Sequence, residues 1–71
     1  MTDQIDFDGQ TIRVGDTINA SVDSPKRTFD IQDGVVEGFR DNPIAGMMIL
    51  IEGHRSGVPA NEDYATVEKV A

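Results

Sequence analysis

Few residues in this chain have the types and spacing that chemistry demands, and each such set has a competing role. Asp6-Phe7-Asp8-Gly9 echoes a calcium loop. In an EF-hand frame Asp6 and Asp8 take the third and fifth ligand positions and Gly9 the sixth. Gln4 then falls on the first and Gly15 on the last, where a bidentate glutamate is required. The same residues serve better as a turn. Asp8-Gly9 sits between Ile5-Asp6-Phe7 and Thr11-Ile12-Arg13, and Asp-Gly between β-formers marks a two-residue hairpin with positive φ at both central positions.

His54 is the only imidazole, two residues from Ser56 in a turn bounded by glycines. A hydrolase needs its nucleophile and base held within hydrogen-bond reach. No buried acid is evident to orient His54, so the pair reads as surface-turn chemistry. Thirteen acidic residues allow many carboxylate pairings, but a small barrel offers little concave volume for a substrate. The chain has no cysteine for thiolate metal sites or disulfides. It also lacks a phosphate-cradling glycine loop. These readings assign no catalytic residue, no cofactor and no metal, and the expectation is a protein that is not an enzyme.

The basic residues are more suggestive by location. Lys26 and Arg27 stand at the tip of one proposed loop, beside Pro25 and close to Phe29; Arg40 opens a second, which carries Pro43 and Ile44. Local positive charge next to exposed proline and isoleucine is what a recognition surface uses, and loops are where such surfaces sit. Pro25, Lys26, Arg27, Phe29, Arg40, Pro43 and Ile44 are therefore the candidate protein-binding residues.

The elements that must position them read as β-strands. From Ile12 the apolar residues fall on even numbers, through Val14, Ile18, Ala20 and Val22, with a bend at Gly15-Asp16. Pro25 breaks this run, and Thr28 to Gln32 alternates again with Phe29 and Ile31 on one face. Segments 17–22 and 28–32 flank a tip at 24–27, as a protruding hairpin or as a long loop. Val35-Val36 and Met47 to Ile51 are apolar on both faces, as central strands are. Asn42-Pro43 and Gly46 punctuate the loop between them. Val58-Pro59 reads as a short edge strand and Ala60 to Asp63 as one helical turn. Thr66 to Val70 closes as a strand, preferred over a helix from Glu62 because of its β-branched residues. The expected core is Ile12, Val14, Ile18, Val36, Phe39, Ile49, Ile51, Val58, Val67 and Val70.

Val14-Gly15-Asp16-Thr17-Ile18 resembles the first strand of a small SH3-like β-barrel of the bacterial, KOW-related kind. Asn19 to Gln32 resembles its polar RT-type loop, Gly34-Val35-Val36-Glu37-Gly38-Phe39 its glycine-punctuated strand, and Met48 to Gly53 the hydrophobic partner. The resemblance covers roughly residues 12–70 and implies an all-β fold, and the length of the chain reads as a single domain over residues 1–71. Five or six short antiparallel strands would curl into a barrel, preceded by the Asp-Gly hairpin. No function comes with it: KOW-type nucleic-acid binders are basic, and peptide-binding SH3 domains carry an aromatic-rich groove.

With 71 residues the domain buries only about 60% of its unfolded surface, so its margin is thin. Six basic against thirteen acidic residues give a net charge of −7. That disfavours direct nucleic-acid binding and anionic membranes. The opening Met1 to Asp6 lacks a signal peptide's basic start and apolar core, and the longest apolar run, Met47 to Ile51, is too short to span a bilayer. A cytoplasmic location is expected. The leading expectation is a non-catalytic protein-binding module, a small phage or bacterial accessory protein acting on a host protein. The alternatives are a self-associating structural subunit and an acidic mimic of nucleic acid. The oligomeric state is left open by the sequence.

Overall fold

A computed structural model describes residues 3–7, 9–44 and 46–70. Its architecture is all-β and antiparallel, and the described residues form seven strands, the expected N-terminal hairpin and five more. They are β1 (Gln4–Phe7), β2 (Gln10–Arg13), β3 (Thr17–Asp23), β4 (Thr28–Asn42), β5 (Gly46–Ile51), β6 (Val58–Pro59) and β7 (Ala65–Lys69). β1 and β2 make a hairpin of their own; the other five form a sheet in the order β6-β5-β4-β3-β7. No ladder joins β6 to β7, so the sheet is not closed into the expected barrel. None of the described segments is a helix long and apolar enough to cross a membrane.

The first hairpin forms around Gly9, whose φ is 78°; Asp8, the other half of the turn signal, lies outside the described residues. Phe7 pairs with Gln10, and Phe7 and Ile12 point into the core. The chain then turns sharply at Arg13-Val14-Gly15-Asp16. The Asp16 N–H donates to the Arg13 carbonyl (3.0 Å) and the Arg13 N–H donates to Asp16 Oδ2 (2.8 Å). Gly15, at φ 94°, supplies the left-handed position that a type II turn needs. Val14 occupies the corner of this turn and is 48% exposed. It is therefore neither part of a first barrel strand nor a core residue, as the alternation had suggested. The Arg13 N–H holds the Asp16 carboxyl below its ordinary value against the opposing cost of burial, with the Lys69 ammonium 3.2 Å away adding to the same effect.

β3 alternates as its sequence does, with Ile18, Ala20 and Val22 inward. It pairs with β4 as far as Asp23↔Thr28, so segments 19–23 and 28–32 are the arms of a hairpin and not the RT-type loop that the resemblance implied. The tip is closed by Ser24 and Arg27, whose backbone N–H groups each donate to the other's carbonyl (2.8 and 3.3 Å) around Pro25-Lys26.

The central device is β4. Its 15 residues would span about 46 Å if straight, yet the longest dimension of the molecule is 29 Å. The strand must bend, and two register shifts show where. Ile18 faces Gly34 while Ala20 faces Ile31, leaving Gln32 and Asp33 opposite Asn19 alone. Asp33 takes the left-handed region at φ 53°, and its N–H donates to Asn19 Oδ1 (2.9 Å). One extra residue exchanges the faces: Phe29 and Ile31 lie on the inward face before the bulge, Gly34 and Val36 after it. Gly34 is buried where space is shortest, since a Cβ there would stand 2.6 Å from Ile31 Cγ2. A second shift between Val36 and Gly38 turns the strand into its ladder with β5.

The two halves of β4 thus belong to two ladders that fold over one core, with β3 reaching β6 across it. Ile12, Ile18, Val36, Ile49, Ile51, Val58 and Val67 are buried as expected, joined by Phe7, Ala20, Val22, Ile31 and Ala65. Phe39 is only half-buried, packing on the core from its margin. Val70, 38% exposed, lies beyond the end of β7 and is not core. Residues 61–64 make a single turn that does not continue as a helix, as expected of this segment. Asn61 accepts from the Asp63 N–H on its side chain (2.9 Å) and from the Tyr64 and Ala65 N–H groups on its carbonyl.

Both ends of the sheet are blunted. β6 has two residues, one a proline. Along β7, Gln10 Nε2 donates to the Val67 carbonyl (2.6 Å), and the Lys69 N–H donates to Gln10 Oε1 (3.4 Å). The Gln10 amide stands where a neighbouring strand's peptide group would be.

Candidate functional site

Bending β4 brings its two ends to one place. From its N-terminal end come the tip residues Pro25, Lys26 and Arg27, with Phe29 on the strand; from its C-terminal end come Asn42 and Ile44. A third segment, the loop after β5, adds Arg55 and Ser56. Together with Met48 and Tyr64 they line a groove of about 760 Å³.

Local sequence explains each wall. Pro25 carries the fixed φ that a turn's second position uses. In the β4–β5 hairpin, Asn42 Oδ1 accepts from the Ile44 N–H (2.9 Å), and Gly46 closes the loop at φ 82°. This raises Ile44 to 98% exposure. The third wall follows a turn in which the His54 N–H donates to the Ile51 carbonyl (3.1 Å), with Gly53 at φ 81°. Gly57 lets this loop lie against β5, because a Cβ there would meet the Ile49 carbonyl oxygen at 3.0 Å. Arg27 Nη1 donates to Ser56 Oγ, which ties the hairpin tip to the loop and engages the serine that lay two residues from His54. Tyr64 is anchored through its backbone, its carbonyl accepting from the Asp23 N–H (2.7 Å), so its ring stays 40% exposed.

Five of the seven sequence-derived candidates, Pro25, Lys26, Arg27, Phe29 and Ile44, meet here. Arg40 and Pro43 are exposed and do not line the groove. Arg40 pairs with Met48 along β5, so its position belongs to the ladder rather than to the loop it was expected to open. Arg55, Met48 and Tyr64 were missed. They are remote from residue 27 in sequence, and only the fold brings them near.

Charge is unevenly divided. Lys26, Arg27 and Arg55 are half of the chain's six cations, and no acid among the described residues lines the groove. Three cations against thirteen acids remain for the rest of the chain. A separate hollow of about 540 Å³ is correspondingly acidic, with Asp6, Glu62 and Asp63 in its wall beside Phe7 and Asn61. Among the described residues no three His, Asp or Glu side chains converge as a metal site would require. The groove therefore offers charge and apolar contact, from Phe29, Ile44, Met48 and Tyr64, rather than a reacting group. No protein-family model matches the chain, and neither curated proteins nor solved structures give a match.

Proposed function

We propose that this protein is a non-catalytic protein-binding module, built as an open variant of the small SH3-like barrels, and that it takes its partner in the groove beside the β3–β4 tip. The observation that carries the reading is Ile44. A fully exposed isoleucine forgoes about 1.5–3 kcal/mol of burial, and here it adjoins Tyr64, Phe29 and Met48 in one concavity instead of standing alone. Aromatic and methionine side chains with arginine at the margin are the composition of binding surfaces. Sheet-edge pairing is the weaker route, because β6 is two residues long and Gln10 occupies the edge of β7.

The reading predicts where contact is made. With a photo-reactive residue placed at position 44 and irradiated in extract of the source cell, a discrete protein adduct is expected. The same residue at Thr66, exposed on β7, should give none. Equal labelling from the two positions would refute the assignment.

A further inference from the structure

We infer that the occupant of the groove is an extended acidic segment of another protein, with several Asp or Glu carboxylates set against Lys26, Arg27 and Arg55. One apolar or aromatic side chain of the segment lies on Phe29, Met48 and Tyr64. The inference rests on the protein-binding reading and adds the chemistry of the partner. The first ground is charge complementarity. The chain has about two acids for every cation, yet the ion pair found among the described residues is Lys69–Asp16. The three groove cations carry no carboxylate partner among those residues, although carboxylates are abundant elsewhere. Arg27 is moreover held in place by Ser56, so little of its side-chain freedom remains to be lost on binding.

The second ground is the reach of the positive charge. Beyond the groove lining only three cations, Arg40 among them, stand against thirteen acids in the rest of the chain. A nucleic-acid strand continues its charge at every residue and would run on over repelling carboxylates. Three cations would also replace few counterions, and counterion release is the main source of such affinity. A peptide can confine its carboxylates to the groove and end there. A second copy of this chain brings its own net charge of −7, which opposes close approach.

The test is a selection from a displayed random-peptide library on the immobilised full chain, followed by amide-shift mapping with a synthetic enriched peptide. Enriched sequences should combine Asp or Glu with one large apolar residue, and shifts should fall at 24–29, 42–48 and 55–59. Binding should weaken about tenfold when the peptide's Glu residues become Gln, or in the exposed double variant Lys26→Glu/Arg55→Glu. The milder Lys26→Gln/Arg55→Gln, checked by its amide spectrum, should lie between. Neutral or basic peptides mapping to the groove would overturn the acidic segment and leave the protein-binding reading standing. No enriched peptide, with oligo-dT shifting the groove amides instead, would overturn both. Concentration-dependent dimers in sedimentation, abolished by the double variant, would replace the acidic partner with a second copy.

Discussion

Gly34 and Gly38 lie four residues apart on β4, and replacing each by alanine should change stability in opposite directions. At Gly34 the new methyl would stand 2.6 Å from Ile31 Cγ2 and 2.9 Å from Ile51 Cγ2, with the Ile18 carbonyl oxygen at 3.7 Å on a third side. Carbon pairs prefer about 3.5–4.0 Å, so both isoleucines must retreat. They have little room: Ile31 is 2% exposed and Ile51 not at all, and a β-branched side chain is stiff at χ1. Overpacking of this kind costs about 1–3 kcal/mol. The alanine returns about 0.4–1 kcal/mol by restricting the unfolded chain. The net loss is about 1–2 kcal/mol, which for a domain of this size lowers the melting temperature by roughly 4–16 °C. At Gly38 the nearest atom is Leu50 Cδ1 at 3.9 Å, an ordinary contact. Only the unfolded-chain effect remains there, and the melting temperature should rise by roughly 2–8 °C. Thermal melts followed by circular dichroism measure both. A Gly34→Ala protein that melts at or above the parent temperature would refute the packing described at the bend.

Truncating Ile49, fully buried between Phe39 and Val58 in their ladders, should cost about 2–5 kcal/mol in urea titration; a loss below that range would place it outside the core. Gln10→Ala bares two polar groups of β7 and should lower stability by about 1–2 kcal/mol. It should also produce concentration-dependent association in sedimentation, and an unchanged monomer would show that the edge needs no cover. Because the folded Asp16 carboxyl titrates below its unfolded value, its contribution is present above about pH 4 and is lost as pH falls through the folded pKa. The loss of stability on acidification should therefore be shallower in Asp16→Asn, and identical acid limbs would contradict the turn geometry.

Wherever one residue type decided local structure, the fold was legible in the sequence. The even-numbered apolar residues of β3, the Pro25 tip, and the Asn42 and Gly46 turn all act within a few residues of themselves. The failures share a cause. Val14 continues an alternating pattern, but the positive φ of Gly15 makes it a turn corner instead. Asp33-Gly34 reads as the start of a strand, while the structure uses its tolerance of left-handed backbone inside one. The signal was present, and its place in a continuous ladder depended on Asn19, fourteen residues away. The site divides in the same way. Loop composition marks Pro25, Lys26, Arg27, Phe29 and Ile44. Arg55 carries no local cue beyond its bracketing glycines, and Arg40 and Pro43 share a neighbourhood in sequence without sharing the groove.

The bulge at Asp33 also makes the chain sensitive to its own length. Removing one residue there would straighten the strand's arithmetic and restore unbroken alternation across residues 29–36. Ile31 and Val36 would keep the same side of the sheet, now at even spacing, but the bend that the extra residue gives the strand would be lost. The walls fed by Thr28 and Asn42 would part, even though no residue of either wall had changed. A frame-preserving deletion at this point should therefore open the groove itself while leaving every residue that lines it in place.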